Sequence, residues 1–60
     1  MIGDNIKFYR KKNQLTQDDI AEACNVTRQA VSKWENGESL PTVDNLYALS
    51  RLLHTSVDDI

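Results

Sequence analysis

Residues 16–37 read Thr16-Gln-Asp-Asp-Ile-Ala-Glu-Ala-Cys24-Asn-Val-Thr27-Arg-Gln-Ala-Val-Ser-Lys-Trp-Glu-Asn-Gly37. Thr16 offers a hydroxyl cap for a helix. Asp19, three residues on, completes something close to a capping box, where Glu or Gln is the usual partner. Ile20, Ala21 and Cys24 then share one helical face. Asn25 is one of the few non-glycine residues that tolerates the left-handed conformation ending a helix. Only Asn25 and Val26 separate Cys24 from a second cap, Thr27. The helix that follows is predicted over about 27–36, from Arg28 to Asn36, with Val31 and Trp34 inward and Gly37 as its stop. Two short helices joined by so tight a turn decide the reading of the rest.

Working outward, Ile2, Ile6 and Tyr9 recur at helical spacing between Met1 and Lys12. Asp4 lies early and Lys11 and Lys12 late, as the helix dipole favours. Asn13 and Gln14 break this first helix. Beyond Gly37, the loop Glu38-Ser39-Leu40-Pro41 leads to Thr42, which caps a fourth helix bearing Leu46, Leu49, Leu52 and Leu53. His54 and Thr55 interrupt it, and Ser56 is placed to cap a last helical turn from Val57 to Ile60. No β alternation, internal repeat or linker is visible. The expectation is all-α: five short helices around one core, with Ile20, Ala30, Val31, Leu46 and Leu49 inside.

The chain has 60 residues, which suits a single domain spanning 1–60. A domain this small buries only about 60% of the surface its unfolded chain exposes, so an enclosed cleft between lobes is not expected. No apolar run approaches the roughly 18 residues of a membrane span. A lone cysteine suits a reducing cytoplasm. There is no set of nucleophile, base and orienting group, no glycine-rich phosphate loop, no metal-ligand spacing around His54, and no cofactor motif. An enzyme is therefore the weakest reading.

The paired helices at 16–37 form a helix-turn-helix, whose second helix fits a DNA major groove about 12 Å wide. At 100° per residue, Thr27, Val31 and Trp34 cluster inward, with Ala30 at their edge. Gln29, Ser32, Lys33 and Asn36 fall on the opposite side, a face without an acid. Gln29 can pair bidentately with adenine, and Arg28 and Lys33 can donate to guanine. Free N–H groups at the starts of the second and third helices suit phosphate. Gln17, first in the second helix, is placed to clamp a backbone oxygen.

These residues carry a resemblance. The runs Leu15-Thr-Gln-Asp-Asp-Ile-Ala-Glu22 and Val26-Thr-Arg-Gln-Ala-Val-Ser-Lys-Trp-Glu-Asn-Gly37, with Pro41, Leu46, Leu49 and Ser56-Val-Asp-Asp-Ile60, look like the Cro/cI-type (XRE) helix-turn-helix family. The register covers essentially the whole chain. The resemblance implies a five-helix, lambda-repressor-like DNA-binding domain of a prokaryotic or phage regulator, a repressor above all, usually a homodimer on a palindromic double-stranded operator. Carried over by position, Arg28, Gln29, Ser32 and Lys33 would face bases. Gln17, Thr27 and Asn36 would meet phosphates, with Arg10 a further candidate. Arg10 and Glu35 would also form an ion pair between the first and third helices. Cys24 stands where leucine is usual and Asn25 where glycine is commonest; both keep the physics of core and turn.

Bland roles compete with these. Trp34 and Cys24 are expected in the core, and His54 at a helix end where positive charge suits the dipole. Lys7, Arg10, Lys11 and Lys12 are either a solvated helix face or, in part, a phosphate-steering patch. Phe8, usually polar in the family, either covers the last turn near Ile60 or marks a contact surface for another chain. With Leu40, Val43 and Tyr47 it supports the alternative function: a protein-interaction or antitoxin-type module. A further C-terminal domain is also expected if residues 1–60 are cut from a longer regulator.

The net charge of −2 argues against nucleic acid only as an average. Residues 1–36 carry six basic and five acidic groups, whereas 37–60 carry Arg51 against Glu38, Asp44, Asp58 and Asp59. The acidity sits mainly beyond the helix-turn-helix.

Overall fold

Threonine caps begin three of the helices. In a computed structural model describing residues 1–60, Thr16, Thr27 and Thr42 are extended, and each hydroxyl accepts the backbone N–H three residues on. The donors are Asp19, Ala30 and Asn45, at 3.1, 3.1 and 3.2 Å. At Thr16 the box is reciprocal, because the Thr16 N–H donates to Asp19 Oδ2 at 2.8 Å. Each cap is worth about 1 kcal/mol. The helices they start are α2 (Gln17–Cys24), α3 (Arg28–Glu35) and α4 (Val43–Leu52), preceded by α1 (Ile2–Lys12).

All four helices end alike. Gln14, Asn25, Gly37 and His54 take φ values of 59°, 56°, 77° and 54°. The N–H after each reaches back to close a wide turn: Leu15 to the Arg10 carbonyl, Val26 to Ala21, Glu38 to Lys33 and Thr55 to Ser50, at 2.9–3.0 Å. These are Schellman closures, which satisfy carbonyls that a helix end leaves without partners. Asn25 and Gly37 are residue types that accept this geometry. Gln14 and His54 accept it at a cost, and His54 stands at the end of α4 as expected.

The expected fifth helix is corrected. Val57–Asp59 forms a single 3₁₀ turn, with Asp59 and Ile60 donating to carbonyls three residues back at 3.1 and 3.2 Å. Ser56 does not cap it: its hydroxyl donates to the Asp59 carboxylate at 2.9 Å instead of accepting a backbone N–H. Three residues close too few bonds to propagate an α-helix. The third helix also ends one residue early, with Asn36 at its C-cap.

The core comprises Ile6, Ile20, Ala21, Cys24, Val31, Trp34, Leu49, Leu53 and Ile60. Leu46 is only half-buried against it. Ala30, expected inside, is half-exposed at the rim because its 100° step from Val31 turns it toward the surface. α3 packs on α1 and α2, α2 also packs on α4, and the 3₁₀ turn folds back on α4. Two asparagines tie α1 to the C-terminal part. Asn5 Nδ2 donates to the Ile60 carbonyl at 2.8 Å, and Asn13 Nδ2 to the Leu53 carbonyl at 3.0 Å. Gly3 lets α1 lie directly on the end of α3: a Cβ there would sit 2.3 Å from the Trp34 carbonyl oxygen. No helix is long and apolar enough to cross a membrane.

Candidate nucleic-acid interface

The turn between α2 and α3 is short because Asn25 bends left-handed and Thr27 at once caps the next helix. α3 is thereby held with Val31, Trp34 and Glu35 inward. Its outer side carries Arg28, Gln29, Lys33 and Asn36, all exposed, with Ser32 half-exposed beside them. The only acid on this helix is Glu35, whose side chain is 2% exposed. A face of amide, hydroxyl and cationic groups with its one carboxylate hidden presents a positive potential to a polyanion.

Two shallow polar hollows flank the start of α3. One, of about 280 Å³, is lined by Gln17, Arg28, Gln29 and Ser32. The other, of about 360 Å³, is lined by Arg10, Leu15, Thr16, Gln17, Asp18 and Arg28. Gln17 and Arg28 form the wall between them. Asp18 is an acid at the outer rim. Thr27 is exposed, although its hydroxyl already serves the cap.

Behind this wall lies an ion pair. Arg10 Nε donates to Glu35 Oε2 at 2.7 Å and Arg10 Nη2 to Glu35 Oε1 at 3.1 Å, a bidentate arrangement. Arg10 Nη1 donates to the Leu15 carbonyl at 3.0 Å. The guanidinium therefore points inward, which favours the ion pair over the phosphate role that was also open to it. Glu35 Oε1 accepts a second bond, from Gln17 Nε2 at 3.1 Å. Gln17 thus turns its amide nitrogen toward the interior, while its side chain lines both hollows. No buried side-chain nitrogen or oxygen is left without a partner.

Sequence reasoning missed this Glu35–Gln17 contact and the role of Gly3. A glycine inside a helical pattern was the available signal for Gly3, since it marks close backbone approach. Nothing local could have paired Gln17 with Glu35. On α1, Phe8 is exposed and meets Tyr9 edge to face, ring centroids 5.1 Å apart. It therefore leaves most of its ring uncovered. Cys24 is buried, and desolvation pushes its thiol above the ordinary value of 9.0.

A helix-turn-helix family model matches residues 6–60. The chain is 44% identical to the HTH-type transcriptional regulator DicA of Escherichia coli K12, over 92% of its own length and 41% of DicA. It is 35% identical to the antitoxin PezA of Streptococcus pneumoniae, over its whole length and 38% of that protein. Among solved structures, the c2 repressor of phage P22 in complex with a synthetic operator superposes with a TM-score of 0.89 at 36% identity. That match covers 97% of this chain and 88% of the repressor chain. The chain spans less than half the length of the two curated relatives. The chain is a member of the helix-turn-helix family of the Cro/cI (XRE) type.

Proposed function

We propose that this chain is the operator-reading domain of a transcriptional repressor, binding double-stranded DNA through α3 in the major groove. The observation that carries the reading is the exposed face of α3: Arg28, Gln29, Ser32 and Lys33 outward, and Glu35 buried behind them. Arg28 and Gln29 stand at the helix start, the end that reaches base edges in this docking mode. Gln17, Thr27 and Asn36 flank them as phosphate contacts. The likeness to a repressor bound to its operator supports the same placement. The site would work in the cytoplasm.

Two copies on a palindrome complete the reading. Leu40, Val43 and Tyr47 are 73%, 67% and 54% exposed, apolar side chains available for pairing. The same three residues favour the second reading, a module that holds another protein, as the similarity to an antitoxin suggests. Any sensing or further dimerising segment would lie outside residues 1–60.

Selection of bound sequences from a random duplex pool tests the proposal. The expected result is a palindromic consensus with half-sites about one helical turn apart. Absence of enrichment, with binding equally weak on every duplex at low salt, would overturn it in favour of the interaction module.

A further inference from the structure

The largest cavity lies away from the two polar hollows, where the start of α1 rests on the end of α3. Its volume is about 410 Å³, within the range of small-ligand sites. Met1, Ile2, Trp34 and Leu40 supply apolar walls, and Gly3 lets the two helices meet beneath them. No basic side chain lines it. The one carboxylate free at its rim is that of Asp4, because Glu35 is taken by Arg10 and Gln17.

The backbone adds to that sign. The Trp34 carbonyl accepts the Gly37 N–H, but no N–H of the chain reaches the carbonyls of Glu35 and Asn36, the negative end of the α3 dipole. Asp4 also answers the positive start of α1, so its pull on a ligand is the modest one of an exposed pair. The chain's first amino group stands on Met1, which is 90% exposed, where water screens it. Open carbonyls, a carboxylate and apolar walls together suit an ammonium group carried on a compact apolar body.

We propose that this cavity binds a small primary amine with a body about the size of one aromatic ring, and that its occupation weakens operator binding. The second half rests on the DNA-binding reading above. Leu40, on the lip, belongs to the apolar patch offered for pairing two copies, and Asn36, on the rim, to the phosphate contacts. A ligand seated between them covers the first and engages the second from behind, so it disfavours the paired, DNA-bound form. This is a ligand site within residues 1–60, apart from any sensing segment beyond them.

Trp34 is the only tryptophan, so its fluorescence reports on the cavity. Phenethylamine, phenethyl alcohol and hydrocinnamate share a ring and differ in charge. Titrated into the free protein, the amine should half-saturate at about 1 mM, with the alcohol weaker and the acid weakest. Amide resonance shifts should cluster at Ile2, Asp4, Gly37 and Leu40. Asp4→Asn should cost the amine about two- to fivefold and leave the alcohol unchanged. Leu40→Ser should weaken both. Asp4 and Leu40 are exposed, so neither change touches the core. Equal affinity for all three probes, or none below about 10 mM, would overturn the site. Shifts at these residues that follow protein concentration with no probe present would give the cavity to a second copy, and overturn it too.

The DNA arm uses the operator obtained by selection, with methylammonium chloride at equal ionic strength as the reference. Saturating phenethylamine should lower operator affinity by about fivefold, and the operator should lower the amine's affinity by the same factor. An unchanged operator affinity would overturn the regulatory half of the inference. A wild type that selects no operator would overturn the DNA-binding reading, while the binding measurements on the free protein would still stand.

Discussion

Arg10 and Glu35 meet through two hydrogen bonds, 2.7 and 3.1 Å long, with their side chains 13% and 2% exposed. They join α1 to the last turn of α3. A pair hidden this far gains little over a well-packed apolar pair, yet removing one partner strands a charge. Glu35→Ala should destabilise the domain by about 3–5 kcal/mol. For a domain this small that lowers the melting temperature by more than about 12 °C. The double change Arg10→Met with Glu35→Leu should recover most of the loss. An unaltered melt in Glu35→Ala would show that the pair carries no stability.

The two glycines are needed for different reasons, and their variants should separate. Gly3→Ala drives a Cβ to 2.3 Å from the Trp34 carbonyl oxygen and 2.8 Å from that of Glu35, both backbone atoms. Overpacking of this kind costs about 1–3 kcal/mol. Because Trp34 also accepts the Gly37 N–H, the disturbance reaches the turn after α3. Gly37 has open space around it but a φ of 77°. Gly37→Asn should therefore be nearly neutral in urea unfolding, and Gly3→Ala should not.

Asn25 gives a cleaner test of backbone conformation. At φ 56° and ψ 46° it ends α2 without using its side chain in a hydrogen bond to hold the turn. Asn25→Gly should leave stability within about 0.5 kcal/mol, whereas Asn25→Val should lose about 1–2 kcal/mol from the crowding of Cβ in this region. Equal stability of the two variants would contradict the left-handed closure.

These contrasts mark what could be read in advance. Thr16, Asp19, Thr27 and Thr42 announced their caps because capping is local, decided within three residues. Asn25 and Gly37 announced their closures because few residue types adopt them. Gln14 and His54 adopt the same conformation without being such types; around them α1 packs on α3, α4 packs on α2, and the Asn13 side chain bonds to the Leu53 carbonyl. Val57–Asp59 looked helical because Ser56 resembles a cap, but the hydroxyl went to Asp59. On α3, helical angle alone separated the outward Gln29, Ser32 and Lys33 from the buried Val31 and Trp34. The bond from Gln17 to Glu35 needed the relative placement of two helices, which no spacing encodes.

Cys24 offers a pH test. Burial raises its thiol pKa in the folded state above 9.0, so the native chain holds that proton more tightly than the unfolded chain. The stabilisation is fully present below pH 9.0 and is lost as pH rises through the folded value. Urea unfolding should therefore show stability declining above pH 9.0, with a shallower decline in Cys24→Ala. At neutral pH a thiol reagent should label Cys24 only as fast as the domain opens.

Lys33 and Gln29 both project from α3, but only one carries charge, and salt separates their roles. If Lys33 neutralises a phosphate, Lys33→Gln should weaken binding to every duplex alike and lower the slope of log affinity against log salt by about 0.9. Gln29 displaces no counterion, so Gln29→Ala should leave that slope unchanged. It should instead remove about 1–3 kcal/mol of discrimination at a single base pair, the value of a bidentate contact to adenine. The two profiles, measured by fluorescence anisotropy on matched and mismatched duplexes across a salt series, are opposite in kind. A Lys33→Gln variant that loses base preference with an unchanged slope would place Lys33 on guanine rather than on the backbone.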